Sequence, residues 1–173
     1  MSVVKELYKG RIVHLFLEDV TLPNEVALTL EIVRHPGASA VVALDDVGNV
    51  ILLRQYRHAV GGFLWEIPAG KLDGDEAPEV CATRELREEA GLQAGELRLL
   101  GAIYTAPGFC DEKIHLFLAR DLTAVPQQLE EDEVLTVERV PLRQALEMIR
   151  LGEIQDAKSI AGLHHTAALL GVA

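Results

Sequence analysis

Basic residues are in short supply in this chain. Its 16 Lys and Arg stand against 27 Asp and Glu, a formal net charge of −11. That balance argues against generic nucleic-acid binding, which needs basic surface to displace counterions. It leaves room for an anionic substrate, because cations held at a site invert the local field whatever the sign of the whole. Cysteine is nearly absent as well. Cys81 and Cys110 make no disulfide framework and lack the paired spacing of a zinc site, so both read as structural. No apolar run approaches the roughly 20 residues needed to span a bilayer. The opening Met1-Ser2-Val3-Val4-Lys5-Glu6 lacks the basic-then-apolar layout of a secretory signal, which makes a cytoplasmic location the expectation. Trp65 is the single tryptophan and reads as core packing. Internal repeats, low-complexity tracts and a separate linker are missing too.

What remains is ordinary for a globular protein: 173 residues, 49% hydrophobic and 25% charged, enough for one domain with a sizeable core. The first 37 residues read as β structure. Val26, Leu28, Leu30 and Ile32 alternate with Ala27, Thr29 and Glu31, the period of a strand with one buried face. Arg11 to Glu18 is a second candidate strand, with Pro23-Asn24 as the turn between them. This segment is either a small sheet apart from the core or a flap that crosses to a second subunit. Residues 38–44 and 50–57 are apolar strands around the turn Asp45 to Asn49. Further strands are expected over 97–105, 113–118 and 134–140, and helices over 142–150 and 157–170. His164 and His165 lie in the last helix without the glutamate spacing of a zinc motif and read as structural. This order predicts an α/β layered domain, a mixed sheet with helices on both faces, over residues 38–173, with the small N-terminal β segment over 1–37.

The chemistry concentrates between Gly70 and Leu92. Pro68 and Gly70 make a turn in which the Ala69 carbonyl can point at a cation. Pro78 suits the first turn of the helix that follows. Ala82, Leu86 and Ala90 form an i, i+4, i+8 apolar stripe, and Gly91 suits the C′ position. Glu85, Glu88 and Glu89 fall at i, i+3 and i+4 on another face. Like charges so close repel by a few tenths of a kcal/mol per pair, and a divalent cation would relieve them. Taken alone, Arg84 to Glu89 is the composition of a solvated helix face. The flanks decide otherwise. Gly70, five residues, Glu76, seven residues, then Arg84-Glu85-Leu86-Arg87-Glu88-Glu89-Ala90-Gly91-Leu92 resembles the Nudix box at every defined position.

The resemblance implies an α/β/α sandwich and a hydrolase of phosphate anhydrides dependent on Mg²⁺ or Mn²⁺. Glu85 and Glu89 match the family's main metal ligands, Glu88 would complete or bridge the set with the Ala69 carbonyl, and Gly70, Glu76 and Arg84 would support the loop and helix. Outside the box, Arg54-Gln55-Tyr56-Arg57, Glu66-Ile67-Pro68-Ala69-Gly70-Lys71 and Ala106-Pro107-Gly108-Phe109 with Glu112 resemble the ADP-ribose pyrophosphatase branch. That implies hydrolysis of ADP-ribose to AMP and ribose 5-phosphate, in a homodimer that exchanges its N-terminal segments. By the same carry-over Arg57 would grip phosphate, although Arg54 and Arg57 also suit a surface pair on a strand edge. Glu112 would touch the substrate or its water, with Gly108 and Phe109 displayed beside it. The general base is expected in the acidic run Glu130-Glu131-Asp132-Glu133, a solvated loop tip by composition. The resemblance points to Glu131 there, with Glu133 next. Alternatives are another nucleoside diphosphate sugar, coenzyme A (whose upstream signature is missing), a dinucleoside polyphosphate, or a non-catalytic nucleotide sensor, which would usually have lost box glutamates.

Overall fold

Short turns and strand-forming runs set the element order of the computed structural model, which describes residues 4–172. Residues 1–3 of the expected N-terminal segment and residue 173 of the expected main domain lie outside the described residues. Strands β1 (Val4–Lys9), β2 (His14–Thr21) and β3 (Ala27–Arg34) form one antiparallel sheet in that order. The strand expected over 11–18 starts at His14 instead. The Gly10 N–H donates to the Val13 carbonyl, closing a tight turn that takes Arg11 and Ile12 out of the ladder.

The remaining chain runs β4 (Ala38–Ala43), β5 (Asn49–Arg57), β6 (Gly62–Glu66), β7 (Ala69–Lys71), α1 (Pro78–Ala90), β8 (Leu92–Tyr104), β9 (Lys113–Ala124), β10 (Leu135–Pro141), α2 (Leu142–Arg150) and α3 (Ala157–Leu170). A mixed sheet has the order β7-β4-β9-β8, with β4 parallel to β9 and the other pairs antiparallel. A second, antiparallel sheet has the order β10-β5-β6. The short strands β6 and β7 flank Pro68, where the sequence predicts only a turn. Proline costs the ladder no acceptor here, since its carbonyl takes the Val41 N–H at 2.8 Å.

Strand alternation sorts the core into two layers. Val41 and Ala43 of β4, with Phe117 and Ala119 of β9, pack on Ala82 and Leu86 of α1. Their neighbours Ala40, Val42, Leu116 and Leu118 point the other way and pack with Leu163 of α3 and Ala145 and Met148 of α2. This is the expected α/β sandwich. Each fully buried leucine contributes about 1.5–3 kcal/mol. Helix α3 comes so close to β4 that a Cβ on Gly162 would lie 2.9 Å from Val42 Cγ2 and 3.1 Å from Ile67 Cδ1. Trp65 is half-buried against the same cluster, and Cys81 of α1 is buried. His164 and His165 are exposed.

Candidate active site

Helix α1 begins at Pro78, whose missing N–H is harmless in a first turn. It ends at Gly91, whose left-handed φ of 63° lets its N–H reach the Arg87 and Leu86 carbonyls. Between these ends, Leu86 and Ala82 hold one face to the sheet, and that fixes where the glutamates go. Glu85 and Glu89 are buried at 7% and 2% exposure, and Glu88 is half-buried. Gly70 makes this approach feasible, since a side chain there would collide with the Glu85 carboxylate.

Each carboxylate has a partner. Glu89 Oε2 accepts the Ala69 N–H at 2.8 Å. Arg84 Nη1 donates to Glu85 at 2.6 Å and to Glu88 at 3.1 Å. The same guanidinium grips Glu76 through Nε and Nη2 at 3.0 and 2.9 Å and donates to the Lys71 carbonyl. That bond holds the Glu76 carboxyl down to about 2. The helix carboxylates go the other way. Burial pushes Glu85 up to about 6 despite Arg84. Burial, with repulsion from Glu85 and Glu133, pushes Glu89 up to about 8.

Among the described residues no three acidic, His or Cys side chains form a ready-made metal cage, because the carboxylates turn to Arg84 and Ala69. The donor chemistry nevertheless fits a divalent ion. Hard oxygens on one helix face, two of them buried and resisting ionisation, are a set that a bound cation would stabilise.

The carboxylates open on a cavity of about 690 Å³, whose lining includes Arg57, Ala69, Gly70, Arg84, Glu85, Glu88, Glu89, Glu112 and Glu133. Arg54 is not brought there. On β5 the period of two turns Gln55 and Arg57 to the cavity, whereas Arg54 stacks over Phe63 at 5.3 Å on the outer face. Gly108 and Phe109 also stay outside the lining. Their turn is held to β3 by the bond from the Val33 N–H to the Phe109 carbonyl, and Phe109 is exposed. Glu112 is inside, accepting from Thr105 Oγ1 at 2.8 Å with His35 Nδ1 at 3.6 Å.

In the acidic loop Glu130 and Glu133 line the cavity and Glu131 does not. The Glu130 N–H donates to Glu133 at 2.8 Å. The strap before this loop lies along the end of α1, where the Gln128 N–H and the Gln127 amide bond the Glu88 and Glu89 carbonyls. Arg11 pairs with Asp132 at 3.1 Å from the N-terminal sheet.

Sequence reasoning missed several residues of the lining: Gln55, His35, Asp156 and Lys158. The first was findable from its i, i+2 spacing to Arg57. Lys158, 92 positions from its partner Glu66, carried no local signal. A second cavity, of about 680 Å³, lies at the far end of β4 and β9 by Leu44, Arg120 and Leu170. Asp45, which lines it, is already paired with Arg139.

The NUDIX domain family matches residues 33–163. An ADP-ribose pyrophosphatase of Bacillus subtilis (strain 168) is 42% identical over 167 residues, 95% of this chain and 90% of that protein. A methanol dehydrogenase activator of Bacillus methanolicus is 39% identical, covering 93% of this chain and 88% of that protein. A GDP-mannose pyrophosphatase of Shigella flexneri serotype 5b (strain 8401) is 38% identical over 152 residues, 78% of this chain and 79% of that protein. The crystal structure of an ADP compounds hydrolase shares the fold, with a TM-score of 0.85 at 24% identity over 99% of this chain and 94% of that one.

Proposed function

The chain belongs to the Nudix family, and on that premise we propose that it hydrolyses ADP-ribose to AMP and ribose 5-phosphate. The observation that carries this reading is one helix face with Glu85, Glu88 and Glu89, two of them buried, opening on a cavity that also holds Arg57. Similarity to an ADP-ribose pyrophosphatase along nearly the whole chain supports the substrate.

Nudix hydrolases generally need divalent metal ions, and here the ion would be Mg²⁺ or Mn²⁺, held by Glu85, Glu88, Glu89 and the Ala69 carbonyl. Bound there, it supplies charge neutralisation on the phosphates and lowers the pKa of water. The protein's own groups do the rest. Arg57 binds a phosphate oxygen with the N–H groups that Glu66 leaves free. Arg84 and Glu76 keep the helix and the Gly70 loop in register. Glu133 takes the proton as a water oxygen bonds to phosphorus and the bridging P–O bond breaks, and its carboxylate oxygen is the accepting atom. Glu133 is preferred to Glu131 because its side chain lines the cavity. Glu112, which lines the same cavity, contacts the substrate or its water.

A second reading, hydrolysis of another nucleoside diphosphate sugar, is favoured by the similarity to a GDP-mannose pyrophosphatase. The experiment that separates the two is kcat/KM for ADP-ribose against GDP-mannose with Mg²⁺ or Mn²⁺. A clear preference for ADP-ribose is expected, and a preference for GDP-mannose would keep the helix chemistry and replace the substrate.

The assembly belongs to the same proposal. We read residues 1–37 as an N-terminal segment and 38–173 as the main domain; Val4, Tyr8, Val13 and Val26 in the sheet and turns of the former are exposed. A homodimer that covers or exchanges this sheet accounts for them. No helix among the described residues is long and apolar enough to cross a membrane, and we read the location as cytoplasmic.

A further inference from the structure

The Glu66 carboxylate is only 2% exposed, yet it faces two cations. Arg57 Nε donates to its Oε1 and Arg57 Nη2 to its Oε2, both at 2.8 Å. Lys158 Nζ donates to the same Oε2 at 2.6 Å. Lys158 in turn pairs with Asp156 at 3.0 Å. Asp156 caps α3 by accepting the Ser159 N–H, and the Ser159 hydroxyl accepts the Ile67 N–H at 2.8 Å. Ile67 follows Glu66 in the chain, so the contacts close a ring from β6 through the start of α3 and back.

We propose that Lys158 is a positioning residue that locks the Arg57–Glu66 pair, so that Arg57 presents its remaining donors to a substrate phosphate. The role of Arg57 rests on the function proposed above. A guanidinium has five N–H donors, and Glu66 takes two of them in a fork that fixes the plane of the group. Arg57 is 41% exposed at its side chain and shares its cavity with Glu85 and Glu89, carboxylates that would draw a loosely held cation away. The second cation prevents this by keeping Glu66 charged and fixed. Burial alone would raise the Glu66 carboxyl, and the bonds from Arg57 and Lys158 instead hold it below the usual carboxylate range. Lys158 itself is spent. Its side chain is 12% exposed and its two partners are acids, so it acts through Glu66 and not on the substrate.

The test is a double-mutant cycle with a second readout that needs no turnover. Lys158→Met is expected to raise KM for ADP-ribose about tenfold, the scale of one charge-assisted hydrogen bond, with kcat changed far less. Lys158→Arg should restore most of the loss. In an Arg57→Ala background Lys158→Met should have no further effect, because there is no guanidinium left to hold. In ¹⁵N spectra the Arg57 Nε–H is expected to exchange slowly with water in the unchanged protein and markedly faster in Lys158→Met. Lys158→Gln, closer in polarity, is read alongside in case the methionine variant folds poorly. An unchanged KM with unchanged Nε–H exchange overturns the proposal. So does an equal rise in KM with and without Arg57, which would make Lys158 a substrate contact in its own right. A protein inert toward ADP-ribose whose Arg57 Nε–H still loosens on losing Lys158 keeps the lock and discards the substrate.

Discussion

Glu89 is buried at 2% exposure among other carboxylates, and its proton is therefore tied to folding. Without metal, burial pushes Glu85 up to about 6 and Glu89 up to about 8, above the ordinary carboxylate range. As pH rises past that range, the unfolded chain releases these protons while the folded protein still holds them, so stability falls. Metal-free protein is expected to melt at progressively lower temperature from about pH 5 to about pH 8, and Glu89→Gln should flatten that slope. Mg²⁺, were it held by the ionised carboxylates as proposed, would raise the melting temperature more at pH 8 than at pH 6. A melting temperature that climbs over this interval without metal would contradict the burial argument. The loop glutamates are separable by kinetics. Glu133→Gln should lower kcat by about a hundredfold or more, the usual scale of general-base catalysis, with Glu131→Gln within a few-fold. The reverse order would return the base to Glu131. The sequence made the helix carboxylates visible because i, i+3, i+4 spacing is local. His35 and Lys158 were not visible, because only tertiary folding brings them to the cavity.

Elements were more legible than contacts. The strand from Ala38, helix α1 with its Pro78 start and Gly91 stop, and helices α2 and α3 all follow from periodicity and capping residues. Two strands around Pro68 did not, since β6 and β7 have only five and three residues, and β7 pairs back across about 30 positions with β4. β1 lay inside the segment expected to be β but was not singled out as a strand; all six of its residues are exposed, without the one-sided burial that gives a strand its apolar alternation. The seating of α3 is the element on which the lock and the active-site turn both depend. Gly162→Val would force the helix off Val42 and Ile67, and overpacking of this kind costs about 1–3 kcal/mol. Chemical denaturation should show that loss, together with a raised KM as the Ser159–Ile67 bond shifts. A fully stable Gly162→Val protein would mean that α3 is not seated by this contact.

At the scale of the molecule, β1, β2 and β3 form a sheet of their own, joined to the cavity side through the Val33 backbone, which bonds Phe109 and Asp111, and through Arg34–Asp111 and Arg11–Asp132. Sedimentation across a hundredfold range of concentration should give a dimer mass, and replacing Val4, Tyr8 and Val13 with polar residues should shift it toward monomer. A monomer throughout would remove exchange of the N-terminal segment from the account. Fold class was readable from the chain because layer order is written in consecutive residues, and the box spacing marked the helix face that holds Glu85, Glu88 and Glu89. A dimer was expected from the resemblance alone, since an exposed apolar side chain looks the same in sequence as a buried one. The central claim is that the carboxylates of α1 drive hydrolysis of ADP-ribose. Its most direct test is AMP release from ADP-ribose with Mg²⁺ by the unchanged protein beside Glu85→Gln/Glu89→Gln. Steady turnover to AMP and ribose 5-phosphate, abolished in the double variant while ADP-ribose still binds, is the expected result. Binding without turnover by the unchanged protein, or undiminished turnover by the double variant, would contradict it.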